Sequence, residues 1–241
     1  MNNSELNKVK KLSVERKTLA GEAYHYLYQQ IITLKYKPGQ MIYENDIAKE
    51  LGISRTPVRE AIHLLASEEF LAIKPQKGIQ VQYISKKKVQ ESYRVRESLE
   101  VTAFKEVASN WEQGHDTYEF AKKELLKIIA EQRFAAEHDY VDDFYQYDEV
   151  FHDKVLDICG NQTLSTIVRQ VRGHVNRMRY LEFFETREMD RIIDDHDQLV
   201  SLLEQRNVKE VETLLVTHLR NVSNYYDDIM RKYPDYFNTQ Y

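Results

Sequence analysis

The sequence predicts a mainly α-helical protein, in which an N-terminal winged helix-turn-helix (three helices plus a small β-hairpin wing) is followed by an all-α helical-bundle domain. Only 7 Gly and 4 Pro residues interrupt the 241 residues, and helix-forming residue types dominate between them. Apolar residues recur at helical spacing through most of the chain. Residues 70–73 and 79–83 form two short apolar runs around the turn sequence KPQKG, and they predict the hairpin.

Charge and composition divide the chain into four parts. Residues 1–88 carry 15 Lys and Arg against 9 Asp and Glu, a formal charge of +6, whereas residues 89–241 carry −11. A basic part suits the phosphate backbone of DNA, which repels an acidic part. The predicted parts are a flexible basic arm, the winged helix-turn-helix, the all-helical domain and an exposed C-terminal tail, over residues 1–17, 18–84, 85–232 and 233–241.

Cysteine content and apolar segments indicate the compartment. The single cysteine, Cys159, cannot form an intrachain disulfide, and no N-terminal apolar run has the pattern of a secretory signal. The longest apolar stretches are far shorter than the roughly 20 residues that span a bilayer. We therefore expect a cytoplasmic protein without a membrane partner.

A helix-turn-helix is predicted after a first helix over residues 18–34. Residues 44–51 form a short helix that ends at Gly52, because glycine favours the left-handed cap conformation. The next helix begins at Ser54 or Thr56, either of which can cap it. Two short helices joined by a tight glycine turn make this motif.

Polar side chains at the start of that next helix are candidates for DNA contacts, because this end enters the major groove. A guanidinium there can donate two hydrogen bonds to guanine, and the hydroxyl groups can meet phosphates. The wing tip can approach the minor groove closely. The candidate DNA-binding residues are Ser54, Arg55, Thr56, Arg59, Lys77 and Gly78. A helical hairpin that serves only for packing is the alternative, and the wing together with the exposed arginine pair favours DNA binding.

Residues 44–80, ENDIAKELGISRTPVREAIHLLASEEFLAIKPQKGIQ, resemble the winged helix-turn-helix of the GntR family of bacterial regulators, whose hallmark is the ELGISRTPVREA run. The resemblance implies a homodimer on a palindromic double-stranded DNA operator, with Arg55, Thr56 and Arg59 on bases or phosphates and Gly78 in the wing. Asn45 stands where some members carry an Arg that contacts DNA. The operator sequence is therefore not carried over.

Four polar residues interrupt the apolar faces of the helical domain, for which periodicity predicts about six helices near 86–110, 116–137, 140–158, 161–181, 187–205 and 208–232. Asp148 and His152 lie one turn apart on the third helix, His196 on the fifth and His218 on the sixth. Buried polar groups need partners, and one divalent metal, Zn before Ni, Mn or Fe, satisfies all four. For any single histidine, a hydrogen-bonded core residue is the alternative. His174 is a weaker candidate.

The spacing of these four residues is similar to that of the FCD ligand-binding domain of the FadR-type branch of the GntR family. An Asp-x3-His pair is followed by a His 44 residues later and another 22 residues after that. The resemblance covers residues 86–232 and favours the six-helix version. It implies a metal held by Asp148, His152, His196 and His218, with open coordination positions for water or the carboxylate of a small organic acid.

Arg96 lies on the inward face of the first helix of this domain, within an Arg-x3-Glu pattern that resembles the same domain. A buried guanidinium must meet an anion, and its planar fork fits a carboxylate. That anion is either the effector or an internal acid such as Asp148 or Glu100. Arg172 and Asn176, one turn apart, are weaker candidates for the same effector pocket.

These patterns together predict a metabolite-responsive transcriptional regulator, a repressor or an activator, whose operator affinity depends on a small carboxylate. Two alternatives keep the metal. In one, the chain is still a DNA-binding regulator, and the metal is purely structural or is itself the signal. In the other, Asp and His around the metal activate water for hydrolysis.

Overall fold

The computed structural model describes residues 18–238. Among these residues the chain forms two compact units, one of residues 18–31 and 39–82, the other of residues 32–38 and 83–238. The predicted arm at residues 1–17 lies outside the described residues. No helix in the described part of the chain is both long and apolar enough to cross a membrane.

The first unit is a winged helix-turn-helix, as predicted. Its elements, in chain order, are α1 (Leu19–Ile32), β1 (Met41–Ile42), α2 (Glu44–Leu51), α3 (Arg55–Ser67), β2 (Leu71–Lys74) and β3 (Gly78–Val81). The three strands form an antiparallel sheet in the order β1-β3-β2. β2 and β3 pair from Leu71 opposite Val81 to Lys74 opposite Gly78, which makes the predicted wing. The two-residue strand β1 was not predicted.

Two glycines shape this unit for different reasons. Gly52 ends α2 with φ 65°, the predicted left-handed cap, and a side chain there would meet open space. Gly78 begins β3 with φ 114°, and a Cβ atom there would lie 2.8 Å from the ring of Tyr43 and 3.2 Å from the carbonyl oxygen of Ile42. The wing therefore requires glycine for its own packing.

The second unit is all α-helical, as predicted. Its helices are α4 (Lys86–Asn110), α5 (Asp116–Glu137), α6 (Val141–Cys159), α7 (Gln162–Thr186), α8 (Met189–Glu204), α9 (Val208–Asn224) and α10 (Tyr226–Lys232), followed by a 3-10 turn at Pro234–Tyr236. α4 packs mainly against α7 and α9, and α5 against α6 and α8. The expected last helix, 208–232, is interrupted at Tyr225 and becomes α9 and α10.

Local capping explains why several of these helices begin where they do. The side chain of Ser85 accepts a hydrogen bond from the N–H of Lys88 at the start of α4. The side chain of Asn161 does the same for the N–H of Leu164 at the start of α7. Such caps satisfy backbone donors that have no partner within the helix.

The closing residues differ from the expected exposed tail. Phe237 is buried, and its segment pairs with Ile84 in a parallel bridge. The N–H of Ile84 donates to the carbonyl oxygen of Tyr236 over 2.8 Å. A single apolar cluster contains both residues together with Leu34, from the connection after α1, and Val175, Met178 and Leu181 of α7. The burial of aromatic area offsets the entropy of ordering this segment, and the expectation of exposure is wrong for Phe237, whereas Pro234, Asp235 and Asn238 are exposed.

Candidate functional site

The structure brings the four predicted metal-ligating residues together in the core of the second unit. Asp148 and His152 project from α6, His196 from α8 and His218 from α9. One potential ligand atom from each lies within 4.8 Å of the others, and all four side chains are buried. His174 is also buried, on α7, but it does not belong to this group.

Each of the three histidines has its Nδ1 atom against an oxygen of a neighbouring side chain. The pairs are His152 with Glu100 at 2.9 Å, His196 with Gln132 at 2.8 Å and His218 with Asp195 at 3.0 Å. Nδ1 of His196 and Nδ1 of His218 carry the proton and donate it to these acceptors, so the lone pair of each of these two rings is on Nε2, the usual arrangement of histidines that bind a metal. Nδ1 of His152 lies at ion-pair distance from Glu100 but outside hydrogen-bond geometry.

The protonation states suit metal binding as well. Burial lowers the pKa of all three histidines, and it outweighs the acid beside His152 and the one beside His218. The pKa of His218 falls to about 4, and that of His196 falls well below its usual range. All three rings are thus neutral near pH 7, the form that ligates metals.

The centre of the group is rich in acceptors. Nε2 of His152 and Nε2 of His218 are 3.3 Å apart, and Nε2 of His196 is 3.7 Å from Oδ1 of Asp148. Neither Nε2 of His196 nor Oδ1 of Asp148 has a hydrogen-bond partner. These two buried acceptors face each other without a donor, and a cation removes the cost of leaving them unpaired. The residues present therefore fit a divalent metal with three nitrogen ligands and one oxygen ligand.

Arg96 pairs with an internal acid, one of the two possibilities that its burial leaves open. Its Nε atom is 2.6 Å from Oε1 of Glu100, whose other oxygen meets His152. Burial raises the pKa of Glu100, but Arg96 and His152 together hold it well below its usual value. The ionised Glu100 thus connects α4 to the histidine group.

One face of α7 presents three polar side chains to a single carboxylate. Glu149 of α6 accepts hydrogen bonds from Asn176 (2.7 Å) and Arg179 (3.2 Å), and it forms an ion pair with Nε of Arg172 (2.8 Å). Arg179 also lies 2.5 Å from Oδ2 of Asp148, so it joins this face to the histidine group. Sequence reasoning missed Arg179, although it follows Arg172 by seven residues and therefore lies on the same helical face.

The predicted DNA-contacting residues form an exposed surface on the first unit. Ser54 occupies the N-cap position of α3 but makes no capping hydrogen bond, and Arg55, Thr56 and Arg59 follow on the first turns. Lys77 is exposed at the wing tip, and Gly78 is half-buried beside it. The cleft between α3 and the wing is lined by Arg55 and Arg59 and by the wing's Gly78.

Glu44, at the start of α2, holds both arginines of this surface. Arg59 donates to its two carboxylate oxygens over 3.1 and 2.8 Å, and Arg55 donates over 3.0 Å. The hydrogen bond from Arg59 is the main reason that the pKa of Glu44 falls to about 2. This carboxylate was not among the predicted site residues, because its partners come from a different helix.

A winged helix-turn-helix joined to an all-helical unit with a buried histidine group is the architecture of a two-domain DNA-binding transcriptional regulator. Residues 19–81 match the family described as bacterial regulatory proteins, gntR family, and residues 91–221 match the FCD domain. The chain belongs to the GntR family of transcriptional regulators, in the group that carries an FCD domain.

Several curated proteins are similar over most of their length. The HTH-type transcriptional repressor RspR of Escherichia coli is 26% identical over 219 residues, which are 91% of this chain and 93% of that protein. The gluconate operon transcriptional repressor of Bacillus subtilis is 25% identical over 221 residues, which are 89% of this chain and 84% of that protein.

Solved structures show the same fold. E. coli McbR/YncC superposes with a TM-score of 0.76 at 20% sequence identity, covering 90% of this chain and 99% of that one. A putative GntR transcriptional regulator from Rhodococcus sp. RHA1 gives a TM-score of 0.69 at 18% identity, covering 89% and 98%. The mainly helical architecture predicted from the sequence is thereby confirmed.

Proposed function

We propose that the affinity of this regulator for its operator is controlled by a small carboxylate bound at or near a divalent metal in the helical unit. The observation that carries this proposal is the orientation of the histidine group. Nδ1 of His196 and Nδ1 of His218 each donate to an acceptor, and one ligand atom from each of the three histidines and Asp148 lies within 4.8 Å of the others. A structural role alone does not need so many acceptors to converge.

The residues that would hold the metal are Asp148, His152, His196 and His218, with zinc as the first choice. A bound divalent ion supplies positive charge and open coordination positions for oxygen ligands. Arg179 lies beside Asp148 and would add a cationic hydrogen-bond donor for an acid at the same place. Arg96 supports the group through Glu100 and is better suited to positioning His152 than to holding the effector.

DNA binding is assigned to Ser54, Arg55, Thr56, Arg59, Lys77 and Gly78. A homodimer on a palindromic operator, in the cytoplasm, is the assembly that we propose, because two heads must match two half-sites. We favour repression over activation of transcription, since two of the similar proteins are named as repressors. Effector binding would shift the dimer between two states: one in which the spacing of its two winged helix-turn-helix units matches the operator half-sites, and one in which it does not.

A structural metal is the second candidate, and the complete burial of the group favours it. Asp148, His152 and His196 have no exposed surface, and the group joins α6, α8 and α9. Under this alternative, a chelator unfolds the helical unit and organic acids leave DNA binding unchanged. Under the proposal, acids change DNA binding while the metal stays bound.

The first test is the metal content of protein purified without an affinity tag or chelator, by elemental analysis. We expect about one divalent metal per chain, lost in His196→Ala and in His218→Ala because each removes one of four ligands. His138→Ala, which changes an exposed histidine of the same unit, is the matched control and should keep the metal. Wild-type protein that takes up no metal after supplementation would remove the metal from the proposal.

The second test is fluorescence anisotropy of operator DNA, selected from genomic fragments, across a panel of small organic acids. We expect at least one acid to change the Kd of the wild type about fivefold or more, the usual range of allosteric coupling. The same acid should have no effect on His196→Ala. An unchanged Kd across the panel would contradict control by a carboxylate.

A further inference from the structure

We propose that Glu149 is a built-in competitor of the effector: its carboxylate fills an anion site made by Arg172, Asn176 and Arg179, and the carboxylate of a small hydroxy acid takes its place. This inference rests on the proposed function, which it deepens by naming the subsite and the ligand class. Its physical basis is the set of contacts made by that single carboxylate.

The anion site is built by buried donors. Arg172, Asn176 and Arg179 occupy one face of α7, and all three are buried. Asn176 and Arg179 donate to Glu149 over 2.7 and 3.2 Å, and Nε of Arg172 forms an ion pair with it over 2.8 Å. Two guanidinium groups and an amide that converge on one point recognise a carboxylate, whichever molecule carries it.

Glu149 can leave this site more easily than its donors can. Its side chain is 15% exposed, against 5% for Arg172 and 4% for Arg179. The rotation of one flexible side chain toward solvent therefore frees the donors without moving α7. A carboxylate from solution can then restore the two hydrogen bonds and the ion pair that Glu149 gives up, which makes the exchange close to balanced in energy.

The site adjoins the histidine group, which limits the size of the ligand. Glu149 follows Asp148 in the chain, and Arg179 contacts both carboxylates. The carboxylate of an acid in the place of Glu149 is therefore separated from the ligand atom of Asp148 only by the guanidinium group of Arg179. A compact acid can contact both places, whereas a long-chain acid would have to displace core residues.

Asn176 identifies a second group on the ligand. Its Nδ2 atom donates to Glu149, but its Oδ1 atom is buried without a hydrogen-bond partner. A buried acceptor left unpaired is costly, so a ligand that donates to it gains affinity. A hydroxyl group next to the carboxylate is such a donor. The site therefore favours a hydroxy acid over the corresponding plain acid.

The experiment is isothermal titration calorimetry of the full-length protein with sodium glycolate and sodium acetate, which differ by one hydroxyl group. We expect Glu149→Gln to bind glycolate about tenfold more tightly than the wild type, because the neutral amide competes less well for two guanidinium groups. We expect Glu149→Gln to bind glycolate several-fold more tightly than acetate. Acetate binding as tight as glycolate would overturn the assignment of the hydroxyl group to Asn176.

Asp153→Asn is the matched control. Asp153 lies on the same helix and accepts a hydrogen bond from Arg172 over 2.9 Å. Unlike Glu149, it does not accept the hydrogen bonds of Asn176 and Arg179, which go to Glu149. It should leave the affinity for glycolate within about twofold of the wild type. Equal gains in Asp153→Asn and Glu149→Gln would overturn the proposal, since any lost negative charge would then suffice.

Glu149→Asp serves if Glu149→Gln fails to fold. It keeps the charge but is one methylene shorter and cannot reach all three donors, so glycolate affinity should still rise several-fold. If no folded Glu149 variant binds glycolate more tightly than the wild type, the proposal that Glu149 competes with the effector is overturned. The proposed function still stands in that case if acids change the operator affinity of the wild type. Tight glycolate binding by Glu149→Gln with no operator response supports the competitor and counts against the proposed function.

Discussion

Glu44 shows how one residue can set the availability of two others. It accepts hydrogen bonds from Arg55 and Arg59 on the surface that is assigned to DNA. A phosphate competes with this carboxylate for the same guanidinium groups. An arginine held in this way is also oriented before DNA arrives, which favours the specific contact over random ones.

We expect Glu44→Gln to raise the affinity for non-specific DNA several-fold and to steepen its salt dependence, because two freed guanidinium groups can release further counterions. Operator affinity should rise less, so that the specificity ratio falls. The measurement is the Kd for operator and for unrelated DNA at several salt concentrations. Asp46→Asn changes the net charge equally on the same helix, and identical effects there would show that only net charge matters.

The candidate ligands could be predicted at this scale, but their supports could not. Asp148, His152, His196 and His218 interrupt apolar stripes, and such interruptions can be seen in a sequence. Glu100 of α4, Gln132 of α5 and Asp195 of α8 each lie beside a ring that another helix carries, at contacts that exist only after folding. Whether Arg96 meets an effector or an internal acid was also a question of packing.

Among the elements, the best-predicted bounds are those of helices with local signals. α4 and α5 occupy the expected ranges 86–110 and 116–137, because capping residues and apolar periodicity are both short-range properties. β1 has two residues and no pattern of its own, and it exists because β3 provides its partner. The break at Tyr225 and the packing of Phe237 likewise depend on non-local contacts.

Gly52 and Gly78 allow a comparison of backbone strain with steric conflict. We expect Gly52→Ala to lower the free energy of unfolding by about 1–2 kcal/mol, the cost of a left-handed Cβ in open space. Gly78→Ala should cost more, because the added methyl group also meets the Tyr43 ring. Urea unfolding of both variants measures this. As a control, Gly21→Ala, inside α1, should leave the free energy of unfolding unchanged or raise it. Equal losses of unfolding free energy in Gly52→Ala and Gly78→Ala would contradict the expected difference.

At the scale of the whole molecule, the chain does not divide where its motifs do. Residues 32–38 begin at the last residue of α1 and precede β1 in the sequence, yet they belong to the second unit. Leu34 packs in the apolar cluster with Ile84, Phe237 and, from α7, Val175 and Met178, which lie between Arg172 and Arg179 in sequence. α7 thus packs against both segments of the second unit from which the chain continues into the first unit.

Leu34→Ala should therefore weaken the helical unit, although the residue precedes the helix-turn-helix. We expect the free energy of unfolding to fall by about 2–3 kcal/mol, since a buried leucine is lost from a packed cluster. Thermal unfolding of the metal-loaded protein measures the effect. Leu19→Ala, at an exposed position on α1, should change stability by less than about 0.5 kcal/mol. If Leu19→Ala lowered the free energy of unfolding as much as Leu34→Ala, the special role of Leu34 in this cluster would be contradicted.

The same segment limits how this protein can be recombined with its relatives. A chimera joined only at residue 83 would place a foreign Leu34 segment against this cluster, or leave the cluster without one. Residues 32–38 would have to come from the same parent protein as the helical unit, although they lie between the two segments of the winged helix-turn-helix unit in the sequence. Exchange of DNA specificity between such regulators therefore requires three junctions, after residues 31, 38 and 82, where a map of motifs would suggest one.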